Sequence, residues 1–284
     1  MKLQGLRRVL VCLAAIAAAS WAFDASATTC LSWSGYEVSP DAVVYRAGLG
    51  SRVLSIDPQT FQDLMPARTA GLRCAAGYAR DARTVVYEGR PLLGAHAKSF
   101  QVLDDGWGLY YAKDRRRVYA GGKPISDDVA SFQVLGGGYA TDGKHGFYGS
   151  VRLPGRNFTM PVPGSGYAKT DSAVFVHGKV LSGIDPASFQ VFENSSYARD
   201  RTSVLVDGEV IPGADPATFE VLAAPVRHAR DRRHVYYGKK VVEGADPASI
   251  AQISNYYFRD ARAVFLEGWR VPDADPATFK VPTR

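Results

Sequence analysis

The sequence predicts an all-β protein, a tandem array of about eight short β-hairpin repeats of roughly 30 residues each with one-turn helical corners. Three observations lead there. A string of Asp-Pro-Ala, then Thr or Ser, then a large apolar residue returns at 215–219, 246–250 and 275–279. Acidic turns recur at Asp81, Asp114, Asp142, Asp171, Asp200, Asp231 and Asp260, in steps of 33, 28, 29, 29, 31 and 29 residues. Each turn runs into a β-branched or aromatic segment closed by glycine, at Gly89, Gly121, Gly149, Gly178, Gly208, Gly238 and Gly268.

The first element from the N-terminus reads as a secretory signal peptide over 1–27. Lys2, Arg7 and Arg8 precede an apolar run from Val9 to Phe23, and Ala25-Ser26-Ala27 forms a small-x-small cleavage site. The run is short for a membrane span, and no later segment is apolar for long enough, so the mature chain is expected to have no transmembrane segment. Cleavage removes Cys12 and leaves Cys30 and Cys74. Two thiols in an exported chain predict one disulfide, Cys30–Cys74. It would close a loop of about 44 residues, worth roughly 4 kcal/mol if it acts through chain entropy. Residues 28–74 read as an N-terminal cap holding a degenerate repeat (Asp41 to Tyr45, then Asp57 to Phe61), and 75–284 as the repeat domain.

Within a unit, the aspartate carboxylate can accept from backbone N–H groups just ahead and so fix a turn. A strand such as Val235-Tyr236-Tyr237 follows. Glycine then supplies the positive φ of a tight hairpin, and a second strand runs back. At the corner, Asp215 can cap one helical turn and Pro216 suits its first position. A large apolar plug comes next: Phe61, Phe100, Phe132, Phe158, Phe189, Phe219, Ile250 and Phe279. A second ladder reads Tyr45, Tyr87, Tyr119, Tyr148, Phe175, Leu205, Tyr236 or Tyr237, and Phe265. Such columns are expected where stacked units share a continuous core. An elongated or curved stack is favoured over a closed propeller-like toroid, because about 30 residues is short for a four-stranded blade. The segment 149–166 departs from the pattern and reads as a wide loop or local cap.

Two turns, Asp231-Arg-Arg-His-Val-Tyr236-Tyr237 and Asp114-Arg-Arg-Arg-Val-Tyr119, resemble the DKNYY repeat family of exported bacterial proteins. Seven copies in register carry the resemblance, over roughly 78–279, with arginine-rich turns in place of Lys-Asn. The family implies no activity and no catalytic residues.

The precursor carries a net charge of +6, of which the signal contributes +2; that mild excess does not point to nucleic acid. The five histidines do not fall in metal-ligand spacing, and basic neighbours beside each aspartate argue against calcium. No Gly-x-Ser-x-Gly elbow or phosphate loop is present, and no cofactor is expected. The functional lead is a cationic register, Arg80, Lys113, Arg199, Arg230 and Arg259, which stacking would turn into one stripe able to bind a polyanion. The competing reading is a solvated edge whose arginines pair with nearby carboxylates. The expected role is a non-catalytic scaffold or interaction module, periplasmic or secreted, with an unknown protein or an anionic envelope polysaccharide as partner. The alternative is an envelope hydrolase with its site in the 149–166 loop or the N-terminal cap.

Overall fold

The computed structural model describes residues 34–48, 50–64, 77–103, 111–223 and 227–282. The signal segment, Cys30 and Cys74 lie outside the described residues.

Among the described residues, eight small antiparallel sheets follow one another along the chain, six with four strands and two with three. Each is a meander in which consecutive strands pair. The seventh is representative: Glu220–Ala223, His228–Arg230, Val235–Tyr237 and Lys240–Val241. The corner strings lie between sheets. One is a 3-10 turn, Ala97–Ser99, and another closes with the Thr218 amide donating to the Asp215 carbonyl at 3.2 Å. All-β repeats with short corners are thus confirmed, and each unit holds more strand than a hairpin. The Tyr-Ala-Arg tripeptide ahead of the aspartate is itself a strand, as at Tyr78–Arg80 and Tyr197–Arg199.

The pleat separates the expected second ladder into two columns on opposite faces. Val86, Tyr119, Phe147, Phe175, Leu205, Tyr236 and Phe265 are buried against the preceding sheet, together with Ala79, Ala112, Ala140, Ala168, Ala198, Ala229 and Phe258. Tyr45, Tyr87, Tyr148 and Tyr237 sit one residue further on and face the sheet that follows. Of the plugs, Phe100, Phe132, Phe189, Phe219 and Ile250 are buried. Seven apolar clusters result, and each joins two consecutive sheets. Among the described residues no cluster joins the eighth sheet to the first. The first sheet turns Glu37 and Arg46, paired at 2.7 Å, to the side where later sheets carry alanine and a large apolar side chain. A polar outer face suits the end of an open stack.

The hairpin glycines are fixed twice over. Gly122 has φ +71°, and a Cβ there would lie 2.5 Å from the Tyr87 ring of the preceding sheet. Gly137 has φ +60° with nothing within 4 Å of a Cβ. Gly122→Ala should therefore cost about 2–4 kcal/mol by adding overpacking to backbone strain, and Gly137→Ala only about 1 kcal/mol of strain. Urea midpoints of the two variants check this; equal losses would contradict it.

Candidate functional site: the Asp-turn edge

The turns between the second and third strands of the sheets line one edge of the array. Their aspartates are buried, which for a carboxylate demands full hydrogen bonding. Asp231 meets that demand with four donors. The Arg233 and His234 amides donate to Oδ1, both at 2.7 Å; the Asp215 amide, in the corner, donates to Oδ2 at 2.9 Å, and the Tyr236 hydroxyl at 2.7 Å. Asp81, Asp114, Asp200 and Asp260 likewise take amides two and three residues ahead and one corner amide, from Asp57, His96, Asp185 and Asp246. Burial raises the pKa of Asp231, but the bonds from Asp215, Tyr236, Arg233 and His234 outweigh it and hold the carboxyl below its ordinary value. The sign is that of a depressed acid. The stabilisation is complete above the ordinary aspartate range and is lost as pH falls through the lower folded value.

The corner string answers to the same turn. Asp215 Oδ1 accepts from the Ala217 amide at 3.1 Å, and the Thr218 hydroxyl donates to Oδ2 at 3.0 Å. Thr218 Oγ1 in turn accepts the Arg232 amide, next to Asp231, at 3.1 Å. Ser99, Ser188 and Ser249 do the same for Arg115, Arg201 and Ala261. The Thr or Ser of the string is therefore a tie to the Asp turn, a role legible only in its invariant spacing three residues after the corner position. One register needs correction. In the fifth sheet Thr170, not Asp171, occupies the buried position, because the strand Tyr167–Lys169 ends one residue earlier than the aspartate spacing implies. Asp171 is exposed and accepts the Arg156 amide at 2.8 Å.

The cationic register predicted from sequence occupies one strand position throughout, half-buried, and most of it is engaged. Guanidinium Nη1 of Arg199 donates to the Pro216 carbonyl at 2.7 Å and that of Arg230 to the Pro247 carbonyl at 2.9 Å. Arg80 reaches the Ala97 carbonyl at 2.5 Å, and Arg259 bonds to the Pro276 carbonyl. Each arm thus holds the next corner down. Lys113 shares the register, paired with Gln101 across the strands. The exposed charges lie two residues past the buried position: Arg83, Arg116, Lys144, Arg233 and Arg262. Corner carboxylates pair with some of the turn cations, Arg201 with Asp185 and Arg232 with Asp215, both at 3.0 Å, and Lys144 with Asp128 at 3.0 Å.

Elsewhere the chemistry is sparse. Among the described residues no group of three His, Cys, Asp or Glu could hold a metal ion. The 149–166 loop completes the fifth sheet: Thr159 and Lys169 exchange two backbone bonds of 2.9 Å where other sheets have a first strand. A cleft beside it is lined by Val162, Ser165, Asn194, Ser195 and Arg227 among others. Its Ser165 and Ser195 hydroxyls donate to the Val162 and Phe192 carbonyls, as turn serines do.

These features define a tandem β-repeat protein, built of meander sheets locked by Asp turns. Residues 167–283 match the family described as the DKNYY family, so sheets five to eight carry the repeats that the Asp-turn motifs had suggested. No curated protein and no solved structure matches the chain.

Asp231→Ala leaves three half-buried backbone bonds and the buried Tyr236 hydroxyl without their acceptor and should cost about 2–4 kcal/mol, whereas Asp171→Ala, at the exposed position, should cost less than about 1 kcal/mol. Chemical denaturation of both variants at neutral pH measures the contrast.

Proposed function

We propose that the chain is an exported, non-catalytic repeat scaffold of the cell envelope, periplasmic or secreted, that engages an anionic polysaccharide along its Asp-turn edge. The observation that carries this reading is the exposed cation at one turn position in sheets two, three, four, seven and eight: Arg83, Arg116, Lys144, Arg233 and Arg262. Packed sheets stand about 10 Å apart, so neighbouring charges can meet successive acidic groups of one extended polymer. The inner register of Arg80, Arg199, Arg230 and Arg259 supports the edge mechanically, through the corner carbonyls, more than it offers charge to a ligand. The buried carboxylates are turned inward onto backbone amides, an arrangement suited to holding turns rather than to general acid or base work. Export rests on the signal-like segment 1–27 and on the two cysteines that follow it.

Passage of the chain from residue 28 over immobilised dextran sulfate tests the edge. The wild type should be retained and released by rising salt, since screening weakens such contacts. The variant Arg83→Glu, Arg116→Glu, Arg233→Glu, Arg262→Glu should elute at much lower salt. The control Arg90→Glu, Lys123→Glu, Arg152→Glu, Arg270→Glu makes the same net charge change on exposed residues of the last strands and should keep most of the retention. Equal losses in the two variants would mean that net charge alone is responsible and would overturn the edge.

A further inference from the structure

In six of the seven seams a tyrosine hydroxyl of one sheet bonds to the hairpin backbone of the next. Tyr36 donates to the Gly77 carbonyl at 2.7 Å, Tyr111 to Gly138 at 2.7 Å, Tyr139 to Gly166 at 3.2 Å, Tyr167 to Ser196 at 3.2 Å and Tyr197 to Arg227 at 2.8 Å. Tyr78 accepts the Gly122 amide at 3.2 Å. At the seventh seam the same strand position holds His228. The ring is fully buried, 4.2 Å from the Phe258 ring across the seam and 5.3 Å from Tyr237 beside it. Neither ring nitrogen has a hydrogen-bond partner among the described residues. A tyrosine would have placed its hydroxyl beside the Gly268 turn. There the Gly268 carbonyl instead accepts the Lys240 ammonium at 3.2 Å.

We propose that His228 makes the joint between the seventh and eighth sheets acid-sensitive, so that its protonation loosens the eighth sheet while the tyrosine-bridged seams stay closed. An imidazolium here would place a cation among Tyr237, Phe258 and aliphatic neighbours with nothing to accept its two protons. The charged groups around the seam are committed elsewhere. On its own strand and loop, Arg227 pairs with Asp207, and Arg230 with Glu220 of the first strand at 3.0 Å. Lys240, on the last strand, lies over the Trp269 ring. In the corner, Asp246 accepts the Ser249 hydroxyl at 2.7 Å. From the eighth sheet, Glu267 and Tyr256 lie at the exposed rim, near Tyr237. Among the described residues, no carboxylate reaches the imidazole.

The direction follows from linkage. Burial pushes the His228 imidazole from 6.5 down to about 4. The opened seam binds a proton near pH 6.5 and the closed seam only near pH 4, so stability is complete above pH 6.5 and is lost as pH falls toward 4. The open-to-closed ratio should rise about a hundredfold over that window. An isolated small sheet is marginal in water, so an opened seam exposes the whole of the eighth sheet to exchange.

Hydrogen exchange tests this at pH 7 and pH 4.5, expressed as protection factors so that intrinsic rates cancel. In the wild type, the protection of Val264–Leu266 should fall at least tenfold more than that of Val174–Val176 in the fifth sheet. In His228→Phe the extra loss should vanish, and His228→Tyr should also raise the protection of the eighth sheet at pH 7. Parallel losses in the two strands, or the same extra loss in His228→Phe, would overturn the proposal. If both variants fail to fold, the imidazole titration of the wild type decides by NMR: a midpoint near 6.5 contradicts the buried, unpartnered state, and one below about 5 supports it.

Discussion

The array depends on one constraint: no sheet can satisfy its own apolar faces. A two- to five-residue strand paired into a three- or four-stranded sheet has too little surface of its own for an independent core. Most inner sheets therefore bury alanine and a large apolar side chain against their predecessor and present tyrosine and valine to their successor. The hairpin glycine makes the fit close, because the ring of the preceding sheet lies where a Cβ would be: 2.8 Å for Gly89 on Tyr45, 2.3 Å for Gly178 on Tyr148. A second tyrosine, on the strand beside it, buries its hydroxyl at the same hairpin and bonds to the backbone there, as Tyr139 does in accepting the Gly178 amide at 2.9 Å. For Tyr167, burial pushes the phenol up to about 12 while the bond from the Gly208 amide works against it. Nearest-neighbour packing of this kind is the physics of a quasi-one-dimensional protein.

A second device sets the spacing between sheets along the chain. The chain must reverse after each meander and re-enter the next sheet in register. A corner aspartate, its Thr or Ser, and the buried aspartate of the following turn form one hydrogen-bonded knot, and the arginine of the preceding sheet clamps the corner carbonyl from behind. The string that recurs through the sequence is the covalent trace of this knot. The proposed binding edge lies outside it, on side chains the knot leaves in solvent. Exposed turn cations can vary without disturbing the scaffold, and a single exchange within a seam, tyrosine to histidine at position 228, changes how that seam responds to acid.

Much of this was legible in the sequence. Asp turns, hairpin glycines and apolar plugs are local signals, and repetition at a fixed spacing multiplied their weight. What escaped was set by partners far along the chain. Tyr-Ala-Arg is too short to read as a strand until its neighbours pair with it. The ring ladder mixed two faces because a three-residue strand shifts its exposed side with a one-residue slip, and the Asp171 register slipped in the same way. The inner arginines looked like a charged stripe because their carbonyl partners lie 17 residues ahead, with no side-chain signature.

The central claim is that neighbouring sheets hold each other through the tyrosine-to-hairpin contact, and Tyr167→Phe tests it most directly by removing one oxygen and nothing else. The Tyr167 hydroxyl accepts the Gly208 amide at 2.7 Å across the seam between the fifth and sixth sheets. In the variant, the Gly208 amide should exchange about tenfold or more faster, with smaller gains on both sides of that seam and none in the first sheet, since about 1.4 kcal/mol is tenfold in exchange. Unchanged exchange at Gly208, or a uniform loss of protection along the whole chain, would contradict the account.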